Sequence, residues 1–437
     1  MAAGEQSRKS VRVVSAVLED GTMLETIRAG EGQPTQLVIA LDGKERLASD
    51  FTHGGIRYVP VVASHNLIQH GAVKLPGVPT PYVSRAKLFD EIVAYAHRYV
   101  ALSPEFMRIV ATYVLLSWVY DAFKELPYLR FRGDYGSGKT RALMVFGSIC
   151  YKGFFASGAS TVSPIFHTLD AFGGTLIFDE ADFRFTDEKA ELVKILNNGN
   201  VRGFSVLRTT VSARKDFEPR AFSVYGPKIV AMRSSYEDRA LESRFITEEM
   251  SGRTMHADIP ISLPDSQESE ARTLRSKLLM YRLRERATVG INPDLRLADV
   301  EARMNQILLP LLSVAPTEEA REAIRAYGAR MQHGVMSDRA NSTEGQLLAV
   351  IAKLCGEGRE SLSLKEIVAA LSEQFGGDYE RPITNRFVGG VLRNRLGLQL
   401  YKTNGIIALS LADRSRLDVL FSRFGAVDNG IPAEGNR

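Results

Sequence analysis

A short segment with strand character, Tyr128 to Arg132, runs directly into Gly133-Asp134-Tyr135-Gly136-Ser137-Gly138-Lys139-Thr140, and a helical pattern follows from Arg141 to Cys150. Strand, glycine loop and helix in immediate succession leave few folds open. The glycines let backbone N–H groups curl around one point in front of a helix N-terminus, where the helix dipole favours an anion. The octapeptide fits G-x-x-x-x-G-K-[ST], in which the lysine reaches the β- and γ-phosphates and the hydroxyl goes to Mg²⁺. The expected nucleotide contacts are therefore Gly133, Asp134, Tyr135, Gly136, Ser137, Gly138, Lys139 and Thr140, with Arg141 next on the helix.

A hard cation also needs a carboxylate nearby. Thr175-Leu176-Ile177-Phe178-Asp179-Glu180 reads as a buried strand ending in two acids, spaced as another strand of a parallel sheet. Asp179 is expected to complete the Mg²⁺ shell, and Glu180 to orient water for in-line attack on the γ-phosphate. The bland alternative is a strand ending in a solvated acidic turn. Asp179-Glu180-Ala181-Asp182 also spells the tag of two-lobed helicases, but neither that class's Ser-Ala-Thr element nor its second lobe is present. The sequence also lacks an Asn-Lys-x-Asp element for reading guanine, which favours ATP over GTP.

Downstream, Glu188 to Asn197 has helical spacing, and two strands, Phe204–Val211 and Arg220–Val224, flank a basic tip carrying Arg214 and Lys215. The tip reads either as a solvated loop or as a phosphate-tracking element. Lys228–Met232 is a further buried strand whose end carries Arg233 and Ser234, where a γ-phosphate-sensing polar group is expected.

Phosphate loop, acidic strand, hairpin, sensor strand and the segment Leu241-Glu242-Ser243-Arg244-Phe245 together resemble AAA+ ATPases of the superfamily 3 and MCM-like helicase group. Leu196-Asn197-Asn198-Gly199, Arg202-Gly203, Val206-Leu207-Arg208, Phe222 and Gly226-Pro227-Lys228 resemble more closely the helicase-like ATPases of phages, plasmids and integrative elements. The resemblance spans roughly residues 70 to 330. It implies that Arg244 acts as an arginine finger on a neighbouring subunit's nucleotide, with Arg239 as local competitor, in a homo-oligomer, a hexameric ring. It implies a helical lid in which Arg303 senses nucleotide, the alternative being a solvated helix face. The family's usual sensor asparagine is replaced, leaving Arg233 and Ser234 both open for that role.

The ends have their own character. Residues 11–82 hold short alternating runs broken by Gly and Asp turn signals, a β-rich module. Helical patterns at Ser342–Leu354, Ser363–Phe375 and Pro382–Leu396 precede a hairpin turning at Asn404-Gly405, the order of a winged helix. From Arg381 to Ala426 eight bases face only Asp413 and Asp418, more positive charge than the +4 of the whole chain. Arg386, Arg393, Arg395 and Lys402 are the expected DNA contacts, the alternative being a protein-docking winged helix.

The expected fold is thus α/β, an AAA+ P-loop ATPase core with helical lid, N-terminal β-rich module and C-terminal winged helix. Its divisions are 1–82, 83–126 (a helical segment on the core), 127–250 (core), 251–338 (lid), 339–426 (winged helix) and 427–437 (tail). Cys150 and Cys355 stand without partners at ligand spacing, and no run reaches the roughly 20 apolar residues a bilayer needs, so a cytoplasmic protein without structural zinc is expected. The functional expectation is an ATP- and Mg²⁺-dependent DNA helicase or translocase acting with replication proteins on a mobile genetic element. The rival is a non-translocating assembly or signalling ATPase.

Overall fold

The computed structural model describes residues 10–158, 160–179, 187–211, 217–252, 256–355, 359–403 and 405–426. The chain divides into two units, Met1–Gly328 and Ala329–Arg437.

The first unit opens with seven short strands: β1 (Ser10–Val13), β2 (Ser15–Val17), β3 (Met23–Arg28), β4 (Thr35–Leu41), β5 (Lys44–Ala48), β6 (Phe51–His53) and β7 (Ile56–Pro60). β2 to β5 form an antiparallel sheet in sequence order, while β1, β7 and β6 form a second. Asp42 and Gly43 join β4 to β5, both at positive φ, as a two-residue hairpin turn requires. After α1 (Asn66–Gln69) come α2 (Arg85–His97) and α3 (Pro104–Trp118). Ser103 caps α3 by accepting from the Phe106 N–H, and Pro104 occupies the first turn, where its missing N–H costs nothing. From Phe106 to Trp118 every residue of α3 except Arg108 is buried. Its apolar composition reflects packing on all sides, against α2, α8 (Ser266–Glu285) and α9 (Ala302–Val314).

The centre of this unit is a parallel sheet of five strands: β8 (Tyr128–Arg132), β9 (Phe154–Ser157), β10 (Leu176–Asp179), β13 (Lys228–Met232) and β14 (Phe245–Glu249), in the order β14-β8-β13-β10-β9. β11 (Ser205–Val211) and β12 (Phe217–Ser223) form a separate antiparallel hairpin between β10 and β13 in sequence. Parallel pairing needs crossover connections. α4 (Lys139–Gly147) and α5 (Val162–Phe172) belong to them, and α6 (Asp187–Asn198) follows β10. All five strands point their C-terminal ends the same way, so the loops after β8, β10 and β13 share one rim, where open α/β sheets bind ligands.

α8 ties this unit together with buried polar contacts. Arg282 donates to Glu25 of β3 (2.7 Å) and to both carboxylate oxygens of Asp121 (2.7 and 2.9 Å), and Arg275 donates to the Ser148 carbonyl just after α4 (2.6 Å).

In the second unit α11 (Thr343–Leu354), α12 (Leu364–Phe375), α13 (Asn385–Gly390) and α14 (Arg414–Phe424) enclose an apolar core with a three-stranded sheet. Its strands, β15 (Ser361–Ser363), β16 (Leu400–Thr403) and β17 (Ile406–Ser410), lie in the order β15-β17-β16. α12 starts with a full capping box between Ser363 and Glu366. The expected helix from Pro382 instead begins at Asn385, capped by the Thr384 hydroxyl, and passes into a π-helical turn at Val391–Arg395. Asn404 of the expected turn lies outside the described residues. Among the described residues no helix is long and apolar enough to cross a membrane.

Candidate nucleotide site

The loop after β8 is built for backbone exposure. Gly136 and Gly138 have φ of 74° and 85°, a left-handed region costly for residues with a Cβ. Gly138 is the N-cap of α4 and supplies no side-chain cap, so the first N–H groups of α4 face outward from a helix N-terminus. Lys139 folds into the loop, donating to the carbonyls of Gly133 and Asp134 (2.6 Å each). Thr140 Oγ1 donates to Asp179 Oδ2 at 2.8 Å, bringing the two expected metal ligands together across the rim of the sheet. Beside them is a cleft of about 320 Å³ lined by Thr140, Leu143, Met144, Phe155, Ser157 and Asp179 among others.

Other expected site residues surround or leave this point. The Arg233 guanidinium, at the end of β13, lies over the exposed ring of Tyr135, 3.7 Å from its centroid. Ser234 follows it, also exposed. Arg141 turns away from the loop, donating to the carbonyls of Pro260 (2.5 Å) and Ile261. Glu180, Arg214 and Lys215 lie outside the described residues.

Arg244 stands at the opposite end of the sheet. Its carbonyl accepts from Tyr128 N–H, the first residue of β8, whereas the phosphate loop follows the last. Four strand steps, roughly 13 Å, separate those ends before the loop begins. The Arg244 guanidinium donates through Nη1 to Asn197 Oδ1, and its buried Nε has no partner. Arg303 is its neighbour, with Nε 3.4 Å from Ser243 Oγ. Burial and then the Arg303 charge lower the pKa of Arg244.

Sequence reasoning missed several supports. Ser251, just past β14, accepts from the Asp134 N–H (3.1 Å) and walls the loop so closely that a Cβ on Gly133 would sit 3.0 Å from it. Arg130, buried in the middle of β8, clasps both carboxylate oxygens of Glu242. Against the upward push of burial, Arg130 holds that carboxyl below its usual range. The signal available was an arginine in the middle of a strand, between Leu129 and Phe131, which demands an acid elsewhere.

In the second unit Arg386, Arg393 and Lys402 are exposed. Arg393 Nε donates to the Gly389 carbonyl (3.1 Å), and Arg395 pairs with Glu344 (3.2 Å).

No protein-family model and no curated protein matches the sequence. Solved structures similar to it include the apo A form of the NrS-1 C-terminal region, at 12% identity over 89% of this chain and 96% of that one, with a TM-score of 0.38. ORC1 of Aeropyrum pernix in complex with DNA is 15% identical over 78% and 97%, with a TM-score of 0.23. JCV helicase is 16% identical over 58% and 64%, with a TM-score of 0.24. At TM-scores this low the reading of the site rests on its own geometry.

Proposed function

We propose that the chain is an AAA+ ATPase of the superfamily 3 and MCM-like kind that hydrolyses ATP to translocate along or unwind DNA of a mobile genetic element. The observation that carries this reading is the 2.8 Å contact of Thr140 with Asp179, next to a lysine inside a glycine loop at a helix N-terminus. A hydroxyl and a carboxylate oxygen suit Mg²⁺, which takes one or two protein oxygens and completes its octahedron with phosphate and water. Bound there, the ion would neutralise charge on the β- and γ-phosphates. Lys139 exchanges its two carbonyl partners for phosphate oxygens, and the outward N–H groups of the loop bind the remainder. Glu180, directly after Asp179, orients the attacking water. Arg233, parked on Tyr135, or Ser234 senses the γ-phosphate.

Arg244 acts on a neighbouring subunit's nucleotide, because its place at the far end of β8 keeps it from its own loop. Arg303, beside it, belongs to the same surface. A hexameric ring would bring six hairpins to a central channel, with Arg214 and Lys215 tracking the phosphate backbone. Phe217, next to the tip in β12, is 78% exposed and suits stacking on bases. The second unit, with three helices before its hairpin, acts as a winged helix contacting DNA through Arg386, Arg393, Arg395 and Lys402. One observation favours the rival reading, a winged helix that docks a protein in a non-translocating assembly ATPase. Its hairpin exposes Tyr401, Ile406 and Ile407, and Arg395 is already paired.

Steady-state ATP hydrolysis, with and without single-stranded and duplex DNA at two salt concentrations, tests the proposal against Lys139→Ala as blank. Strong stimulation that weakens with salt is expected. Robust hydrolysis indifferent to nucleic acid overturns the DNA reading in favour of the rival.

A further inference from the structure

We infer that Asn197 is a positioning residue for Arg244, presenting its guanidinium without a directly paired carboxylate to the neighbouring subunit's nucleotide; this rests on the proposed trans-acting role of Arg244.

The geometry is that of a relay with the carboxylate held one step back. Asn197 Oδ1 accepts from Arg244 Nη1, while Asn197 Nδ2 donates to Asp238 Oδ2 at 3.3 Å. Asp238 is occupied as the N-cap of the short helix α7 (Arg239–Glu242), accepting from the N–H groups of Ala240 (2.8 Å) and Leu241 (3.3 Å). Among the described residues Arg244 has no carboxylate within ion-pair distance, and its buried Nε lacks an acceptor. A guanidinium so held has direction, while the nearest carboxylate, Asp238, acts on it only from behind the amide. An amide fixes the side chain through a neutral oxygen, whereas a carboxylate at the same place would supply the counter-charge that a phosphoryl group supplies in the transition state. The adjacent Arg303 strengthens the demand for an incoming anion.

Asn197 also has a place in the chain that the chemistry would use. It lies in the last turn of α6, the helix that leads into the β11–β12 hairpin. Earlier in α6, Glu191 pairs with Arg208 of β11, and the carbonyl of Leu196 accepts from the Tyr128 hydroxyl at 2.8 Å. The residue that aims Arg244 is therefore carried by the element that carries the hairpin.

The test compares Asn197→Ala, Asn197→Asp, Arg244→Ala and the double variant Asn197→Ala/Arg244→Ala as full-length chains, measuring kcat and KM for ATP together with thermal unfolding. Arg244→Ala should lower kcat by at least about 10²-fold. Asn197→Ala should lower kcat about 10-fold or more with KM for ATP changed less than about two-fold, since a misaimed group costs rate rather than binding. The double variant should be no slower than Arg244→Ala alone. Asn197→Asp is the discriminating case: it keeps an acceptor for Arg244 Nη1 while losing the donation to Asp238, and it should lower kcat because the guanidinium is then neutralised. A merely structural asparagine would show its loss in thermal unfolding, with kcat of the folded variant unchanged. Should Asn197→Ala fail to fold, Asn197→Asp with Asn197→Leu, which fills the space without an acceptor, decides the matter. Wild-type kcat in Asn197→Asp and Asn197→Ala, with Arg244→Ala inactive, overturns the inference and leaves the role of Arg244 standing. Wild-type kcat in Arg244→Ala overturns the reading beneath it.

Discussion

At the scale of single residues, two side chains carry opposite kinds of information. Asp179 meets Thr140 at 2.8 Å on the rim of the sheet, and Asp179→Asn would keep its shape while removing the charge a divalent ion needs. Hydrolysis should fall by at least about 10²-fold, since a metal supplies several kcal/mol of charge stabilisation, and a Mg²⁺ titration of ATP turnover will read the loss. Lys228 is buried at the start of β13, where its ammonium donates to the carbonyls of Gly199 (3.2 Å), Val224 (2.8 Å) and Gly226 (3.0 Å). Burial pulls its pKa from 10.5 down to about 7. Between those values the unfolded chain binds a proton that the folded chain has released, so folding stability rises with pH from about 7 and is flat below it. Urea unfolding between about pH 6 and pH 9 should reveal that rise, and Lys228→Met, though less stable throughout, should lack it. The sequence made Asp179 legible, because an acid at the end of an apolar strand is a local pattern. It left Lys228 illegible as a hub, because its partners are backbone carbonyls at the hairpin's return and at the end of α6.

At the scale of elements, contiguity decided what could be read. The phosphate loop, α6, the hairpin and β13 follow from neighbouring letters, and the described elements match those readings within a few residues. β3 escaped: Glu25 interrupts its apolar run, and only the fold reveals that this carboxylate is buried against Arg282, 257 positions away, and Tyr151. The start of α13 escaped as well, since the Thr384 cap outcompeted the Pro382 signal. The same long-range chemistry gives α8 its role. Arg282 satisfies Glu25 from the N-terminal module and Asp121 from the segment after α3, with Lys152 3.4 Å from Glu25. Against the push of burial, the neighbouring arginines hold the Asp121 carboxyl well below the usual range. Arg282→Met would leave the buried Glu25 without its arginine, with Tyr151 and Lys152 remaining, and removing one partner of such a cluster costs about 3–5 kcal/mol. Chemical denaturation should register that loss. A change below about 1 kcal/mol would mean that Arg282 is not what holds the N-terminal strands to α8, leaving Arg272, which donates to the Arg28 carbonyl of β3, to do so.

At the scale of the whole molecule, the proposed trans-acting role of Arg244 would make assembly part of the chemistry. The loop lies past the C-terminal end of β8 and Arg244 beside its N-terminal end, so one chain holds the glycine loop and Arg244 at opposite ends of the same strand. Two defective chains should then repair each other. Lys139→Ala retains Arg244, and Arg244→Ala retains the loop, so each variant alone should be nearly inactive. Where the two alternate in the right order, an intact loop faces an intact arginine, and random mixing in equal amounts places about a quarter of the interfaces in that state. Hydrolysis in the mixture should therefore recover to a substantial fraction of the wild-type rate, and the wild-type rate per chain should itself fall on dilution as interfaces dissociate. A mixture no more active than its components, together with a wild-type rate independent of concentration, would place every catalytic group within one chain. The position of Arg244 at the far edge of β8 would then need a different explanation from catalysis.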